Sequence, residues 1–289
     1  MSKKKPRHHE IPKYYLKGFC AQSSPFLWVF ERGKPFAPGD KSGKNNPVQK
    51  SVSRTALRND GYAIPVPNQQ PDYSYETRLQ KEENKAHDVI EKIRKRKPVD
   101  MSDKKVIARY IGMMRKRLER RDIVARQILD AQINSLPWDY WQRELAFRGK
   151  FDRALEVAKA KESLFSEDAK TTLLRESMVL PYKMSETVLL DMTWNFLVAA
   201  KDEYFVTSDN PIIYDENRGL SKSPLIFPIS QHVMLFSQWS QGEDLSYKTI
   251  YAEETRKFNT VIIGCAIKEI YSPKPDQWIH QCMQSAKGE

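Results

Sequence analysis

Two short segments of the sequence carry the residue types that acid–base chemistry requires, and the first contains His9. His9 stands three residues before Pro12 and six before Tyr15. Because proline favours the first position of a helix, His9 is predicted to precede a helix start, near the positive end of the helix dipole. A histidine there tends to stay neutral and can act as a general base or donate a hydrogen bond to a phosphate. The alternative is a solvated histidine without a function, next to the basic tail.

The second segment, Thr207–Pro211, reads Thr-Ser-Asp-Asn-Pro and lies between two apolar runs. Aspartate and asparagine before proline form turns, and the side-chain oxygens of Ser208 and Asp209 can close such a turn locally. At the end of a strand, Asp209 would also be placed to hold a metal ion or orient a histidine. The sequence leaves both roles open. Any metal held by Asp209 and Glu83 is expected to be a divalent ion such as Mg²⁺.

A strongly basic segment points to a polyanionic partner. From Glu91 to Arg126 there are 14 lysines and arginines and five acidic residues, so this segment supplies +9 of the formal net charge of +11. Arginine-rich helix faces follow phosphate backbones without reading base sequence, although most charged runs are simply solvated surface. Arg115 is predicted at the edge of the buried face, where a guanidinium needs a carboxylate or phosphate partner. Glu83 on the preceding helix is the candidate carboxylate, and an ion pair with Arg115 is favoured over catalysis.

Several classes of protein are disfavoured. The sequence has no GxxxxGK[ST] loop and no GxGxxG, HExxH or GxSxG motif, which argues against nucleotide-driven motors, zincin proteases and α/β-hydrolases. The three cysteines are widely spaced and form no CxxC pair, so neither a disulfide framework nor a cysteine zinc site is expected. No run approaches the ~18 apolar residues that span a bilayer, and the basic N-terminus is followed by no apolar core. We therefore expect a cytoplasmic protein without a membrane partner.

The order of the predicted elements gives the fold class. Hydrophobic residues make up 40% of the 289 residues, which suffices for a globular core. Apolar periodicity predicts strands at both ends and helices between them. The predicted helices are a short turn from Pro12, Tyr75–Arg96, Ser102–Asp130, two or three between Trp138 and Leu180, Ser185–Lys201, Ala252–Ala266 and a terminal helix. The predicted strands are Phe26–Glu31, one ending near Tyr62, Tyr204–Val206, Ile212–Tyr214, Leu225–Ser230, His232–Phe236 and Glu269–Tyr271.

This pattern is typical of an α+β fold rather than of alternating βαβ units. We expect a mixed or antiparallel sheet built from N- and C-terminal strands and packed against a helical subregion at about residues 75–201. Residues 1–8 are predicted to form a basic tail, and residues 9–289 a single domain.

Blocks along nearly the whole chain resemble a bacterial family of proteins with a domain of unknown function. The blocks are His9-x-Ile11-Pro12-x-x-Tyr15-Leu16-x-x-Phe19, Leu27–Phe30, Tyr62, Glu83-Asn84, Arg115, Thr207–Pro211, Phe227–Ser230, Asn259 and Ile270–Ser272. The region from about Trp138 to Leu180 matches weakly. The resemblance implies a bacterial or phage-related origin and one family domain, and it implies no established activity. The polar signature positions of the family correspond to His9, Tyr15, Glu83, Arg115, Asp209 and Asn259.

Two functional hypotheses follow. The first is a nucleic-acid-directed hydrolase, such as a nuclease in a toxin or phage-defence system, with His9, Asp209 and Glu83 as catalytic residues. Its substrate-binding residues would be Arg115, Tyr15, Ser208, Asn210 and Asn259, and its nucleic-acid-binding residues Arg117, Arg120 and Arg121. The second is a non-catalytic nucleic-acid or nucleotide binding protein in which the polar signature residues are structural. The first hypothesis requires side chains some two hundred positions apart to meet in an open pocket.

Overall fold

The computed structural model describes residues 7–21, 24–40, 42–59, 74–117, 130–131, 133–166, 183–215 and 217–285. The chain divides into two compact units. The larger unit contains the described residues within 1–61, 80–115 and 181–289, and the smaller unit those within 62–79 and 116–180. That 9–289 folds as a single domain stays a prediction.

Strands at both ends of the chain flank a helical middle, which confirms the α+β class. The helices are α1 (Lys13–Lys17), α2 (Ser74–Arg94), α3 (Met101–Arg117), α4 (Trp138–Phe147), α5 (Phe151–Phe165), α6 (Lys183–Asp191), α7 (Ala252–Cys265) and α8 (Gln277–Ser285). The strands are β1 (Arg7–His9), β2 (Phe26–Glu31), β3 (Val48–Ser51), β4 (Leu57–Asn59), β5 (Thr193–Ala199), β6 (Thr207–Ser208), β7 (Leu225–Pro228), β8 (Val233–Gln238), β9 (Ser246–Ile250) and β10 (Glu269–Ser272).

The larger unit holds two four-stranded sheets. The first is antiparallel and has the strand order β3-β2-β10-β6, so N- and C-terminal strands do form one sheet, as expected. The second has the order β7-β8-β5-β9 and is mixed, because β5 pairs antiparallel with β8 and parallel with β9. A separate pair joins β1 to β4, with His9 opposite Leu57. Arg7 and His8, which the sequence analysis assigns to the tail, therefore belong to a strand.

The mixed sheet is buried on both faces over β5, β7 and most of β8, whereas the edge strand β9 is largely half-buried or exposed. Phe196, Phe227 and Leu235 face a core that they share with α1, α2 and α3. On the opposite face, Leu197 and Met234 join a second core with α7 and α8. Strands that are buried on both faces are apolar over most of their length and show no alternation.

This double burial explains why β5 resembles a helix in its sequence pattern. The helix predicted at Ser185–Lys201 is confirmed only as far as Asp191, where α6 ends, and the rest of the prediction is wrong because Thr193–Ala199 forms the central strand β5. Six consecutive residues of β5, Trp194–Ala199, are buried, and such a run has the same apolar composition as a buried helix.

Smaller predictions also need correction. Residues 204–206 precede β6 rather than forming a strand, and of the predicted strand Ile212–Tyr214 only Ile213 makes a bridge, to Ile226. Between β2 and residue 62, where one strand is predicted, the structure has two, β3 and β4, and β9 is absent from the predicted strands. Tyr62 lies outside the described residues, as do residues 118–129 of the helix predicted at Ser102–Asp130.

Candidate functional site

The carboxylate of Asp209 binds the backbone of the connection between α7 and β10. Its two oxygens accept hydrogen bonds from the N–H groups of Ile267 at 2.9 Å, Lys268 at 2.7 Å and Glu269 at 3.0 Å. Burial raises the pKa of the Asp209 carboxyl, and these N–H donors oppose that rise. Backbone hydrogen bonds therefore occupy both oxygens of the Asp209 carboxylate, which is the geometry of a carboxylate that closes a turn.

The neighbours of Asp209 are engaged in the same way. The Ser208 hydroxyl donates to the Asn210 carbonyl at 3.0 Å and accepts the Asn210 N–H at 3.1 Å. The Asn210 side-chain amide donates to the carbonyl of Cys265, the last residue of α7, at 3.0 Å. The predicted turn chemistry is therefore present, and it attaches this segment to the end of α7.

Asn259 joins the middle of α7 to the segment before β6. Its Oδ1 accepts the N–H of Val206 at 3.0 Å, and its Nδ2 donates to the carbonyl of Tyr204 at 2.8 Å. Asn259 is 2% exposed, so these bonds satisfy backbone groups that water does not reach.

Tyr15 joins α1 to both four-stranded sheets. Its hydroxyl donates to the Pro228 carbonyl at 2.7 Å and lies 2.8 Å from Thr207 Oγ1. Its ring is stacked on Phe227, with centroids 5.4 Å apart. Complete burial raises the pKa of Tyr15 well above its usual value, so the phenol stays protonated. Tyr15 is thus a buried structural contact between α1, β6 and β7.

His9 and Glu83 lie on different elements. The Nδ1 of His9 donates to the carbonyl of Thr55 at 3.0 Å, which fixes the ring against the segment before β4. Glu83 is half-buried on α2. The catalytic roles of both residues stay predictions, as does the Glu83–Arg115 ion pair.

Arg115 is placed by an aromatic partner. Its guanidinium donates to the Tyr214 hydroxyl and stacks over the Tyr214 ring, with Cζ 4.3 Å from the centroid. On the same helix, Tyr110 lies 6.2 Å from the ring of Tyr14, which meets His87 of α2 edge-on at 5.1 Å. Helices α1, α2 and α3 therefore bring aromatic and polar rings together, whereas Asp209 and Asn259 bind the backbone around α7.

Arg94 is a structural residue that the sequence analysis did not single out. Its guanidinium donates to the carbonyls of Tyr14, Tyr15 and Ile229 at 2.8–3.2 Å. A Cβ added at Gly18 would lie 2.2 Å from Arg94 Nη2, so the glycine gives the guanidinium room. Arg94 thereby holds the end of α1 against α2 and the turn after β7.

The predicted nucleic-acid-binding residues are Arg117, Arg120 and Arg121. Arg120 and Arg121 lie outside the described residues, and so does the side chain of Arg117. In the part of the chain that the structure does describe, no three His, Cys, Asp or Glu side chains form a group that could hold a metal ion. The magnesium ion stays a prediction. Within the same ranges, no helix has the length and apolar character needed to cross a membrane.

Comparison with known proteins identifies the family of the chain. A family model described as Protein of unknown function (DUF4238) covers residues 7–276. This match confirms the resemblance seen in the sequence. No curated protein and no solved structure matches the chain.

Proposed function

The chain belongs to the DUF4238 family of proteins of unknown function, and we propose that it is a non-catalytic nucleic-acid-binding protein. In this proposal Tyr15, Ser208, Asp209, Asn210 and Asn259 serve the fold. The support is that the hydrogen-bond partners described for these five side chains are backbone groups and, for Tyr15, also the Thr207 hydroxyl. Hydrolysis by His9, Glu83 and Asp209 stays a prediction.

One exposed group of basic side chains carries the proposal, and we call it the basic corner: the cations Lys17, Lys95, Arg96 and Lys97, together with His232. All five side chains are exposed. Hydrogen bonds hold the elements that carry these side chains together. Arg94 of α2 donates to the carbonyls of Tyr15 in α1 and Ile229 in the β7–β8 turn. The N–H of Gln231 in the same turn donates to the Gly18 carbonyl at 2.8 Å. Arg96 is close enough to His232 that it lowers the pKa of that imidazole, second to the effect of burial. The corner therefore joins α1, α2 and the β7–β8 turn.

Three neighbouring cations of the basic segment are held in ion pairs. Lys92 binds Asp103 at 2.5 Å, Lys104 binds Asp244 at 2.7 Å, and Arg109 lies 3.4 Å from Glu186. Lys95, Arg96 and Lys97 form no ion pair with any described residue. Unpaired cations on one surface attract phosphate groups, because binding releases the counterions of the nucleic acid.

The backbone at Arg96 adds an independent observation. Arg96 has a φ of 54°, a left-handed conformation that favours glycine. Arginine in that conformation costs about 1–2 kcal/mol relative to glycine. A position that keeps a long cation at the expense of stability is typical of a functional surface. The alternative is a favourable interaction of these cations with the C-terminal end of the α2 dipole.

Binding of labelled single- and double-stranded oligonucleotides, followed by fluorescence anisotropy over a range of salt concentrations, tests the proposal. The K95Q/R96Q/K97Q variant is expected to bind at least tenfold more weakly, with the salt slope reduced by about 2–3. The matched control K44Q/K201Q/K222Q also removes three exposed charges, from +11 to +8, and is expected to bind like the wild type. Equal losses in the two variants would show a general charge effect and contradict a specific surface.

R96G separates binding from stability. It removes the cation and relieves the backbone, so it should stabilise the fold by about 1 kcal/mol while weakening binding. Incubation of the same oligonucleotides with Mg²⁺ and analysis by gel electrophoresis tests the hydrolase hypothesis. Cleavage that is lost in D209N, under conditions where D209N is folded, would replace our proposal with that hypothesis.

A further inference from the structure

The turn between α4 and α5 in the smaller unit carries two solvent-exposed aromatic rings. Phe147 ends α4 and is 91% exposed, while Phe151 begins α5 and is 69% exposed. Large apolar side chains this exposed are unusual in soluble proteins, and where they cluster they commonly mark a binding surface.

The backbone of this turn is fixed. The Gly149 N–H donates to the Ala146 carbonyl, and the Lys150 N–H donates to the Leu145 carbonyl, both at 2.9 Å. Together with the φ of 71° at Gly149, these bonds form a Schellman motif, which ends α4 sharply. The two phenylalanines therefore project from defined helix ends on either side of a three-residue turn.

Cations accompany the rings. Residues 143–153 contain four arginines and lysines against Glu144 and Asp152, a local charge of +2. Arg148 pairs with Glu144 at 2.5 Å. Lys150 and Arg153 are exposed, and neither forms an ion pair with a described residue. The turn thus combines aromatic faces with unpaired positive charge.

We infer that the α4–α5 turn is a binding element for single-stranded nucleic acid, in which Phe147 and Phe151 stack on bases and Lys150 and Arg153 contact phosphates. This inference rests on the proposed nucleic-acid binding and names its substrate class. Unpaired bases offer their faces to aromatic side chains, and stacking accepts any base. A duplex keeps its base faces stacked inside, so these rings have no counterpart on it. The charge of the turn favours this occupant over an apolar partner.

The test compares a labelled thymidine oligonucleotide of about 20 nucleotides with a duplex of equal length, using the full chain. F147A/F151A is expected to bind the single strand at least about tenfold more weakly and the duplex almost unchanged. F147Y/F151Y keeps the rings and should retain the wild-type affinity for both. L136A/L155A removes exposed aliphatic side chains of the same unit and serves as the matched control, with no expected change. Thermal unfolding followed by circular dichroism verifies that each variant is folded.

The outcomes separate this inference from the proposal it rests on. If the wild type binds neither oligonucleotide at about 50 mM salt, nucleic-acid binding itself is wrong. If the wild type binds but F147A/F151A keeps its full affinity for the single strand, only the role of the turn is wrong. The inference is also overturned if F147A/F151A keeps that affinity but loses self-association or binding to vesicles that contain phosphatidylserine. The turn would then contact a second copy of the chain or a lipid surface.

Discussion

Lys104 Nζ lies 2.7 Å from Asp244 Oδ2, and the lysine is only 1% exposed. The ammonium also donates to the Met192 carbonyl at 2.7 Å, and the other oxygen of Asp244 accepts the N–H of Trp194 at 2.7 Å. This ion pair fixes α3 to the start of β5 and to the segment before β9. Lys104 therefore belongs to the core of the larger unit, although it is part of the basic segment.

We expect D244N to be among the most destabilising single changes in the larger unit. It leaves the Lys104 ammonium buried without its counter-charge, which costs about 3–5 kcal/mol. K104M should cost less, because an apolar side chain of similar length fills the same space. The exposed pair Lys257–Glu253 is the control, and E253Q should leave the free energy of unfolding almost unchanged, because water screens this pair. Urea titration measures all three variants, and equal effects of D244N and E253Q would contradict the prediction.

Replacement of Asp209 distinguishes a structural carboxylate from a catalytic one. D209A removes the acceptor of three backbone N–H groups and is expected to destabilise the protein by about 2–4 kcal/mol. Removal of a catalytic carboxylate typically costs little stability or even increases it. The exposed Asp191 is the control, and D191A should lie within about 0.5 kcal/mol of the wild type. A D209A protein as stable as the wild type would restore Asp209 as a candidate active-site residue.

Alanine substitutions at Gly18 and Gly264 should change the free energy of unfolding in opposite directions. At Gly18 a Cβ would lie 2.2 Å from Arg94 Nη2, and Arg94 cannot move away without losing its bonds to Tyr15 and Ile229. We expect G18A to destabilise by about 1–3 kcal/mol. Gly264 is exposed in α7, where a Cβ would meet open space, so G264A should stabilise by about 0.5–1 kcal/mol. Chemical denaturation measures both, and a neutral G18A would show that the Arg94 contacts are dispensable.

His280 gives the stability of the protein a pH dependence. The imidazole is 8% exposed, its Nδ1 has no hydrogen-bond partner among the described residues, and burial lowers its pKa below 6.5. The folded state disfavours the protonated form of His280. The contribution of the neutral imidazole to the free energy of unfolding is therefore complete above the pKa that His280 has in the unfolded chain. It is lost as the pH falls through the lower pKa that His280 has in the folded protein. H280F should fit beside Phe36 and weaken the fall in the free energy of unfolding between about pH 7 and about pH 5.

His232 provides a second test of this pH dependence of stability. Burial and Arg96 lower the pKa of His232 as well, so H232Q should weaken the same pH dependence and H280F/H232Q should weaken it further. Parallel stability curves for the wild type and H280F would contradict the assignment to His280.

Local sequence signals predicted the elements whose burial alternates or whose ends carry distinctive residues. The strand Phe26–Glu31 and the helix at Ala252 were predicted well, because one is rich in aromatic and β-branched residues and the other has a helical period. β5 was mistaken for a helix because it is apolar on both faces. Sequence pattern alone does not separate these cases.

The candidate site was predictable only in part, for a related reason. The turn chemistry of Ser208 and Asn210 follows from their residue types. The partners of Asp209 are backbone N–H groups of residues 267–269. Because every residue except proline has such a group, residue types do not reveal these partners. Lys104 looked like one more surface cation, since nothing near it in the sequence shows that Asp244 lies beside it.

The hydroxyl of Tyr15 bonds to residues that the ribosome adds about two hundred positions later, at Thr207 and Pro228. In a nascent chain, α1 therefore cannot pack in its native position until most of the polypeptide has been synthesised. Contacts between such distant positions slow folding and leave apolar surface open in the meantime. During synthesis, the segment from Ile11 to Phe19 should consequently be a target for chaperones that hold unfolded chains.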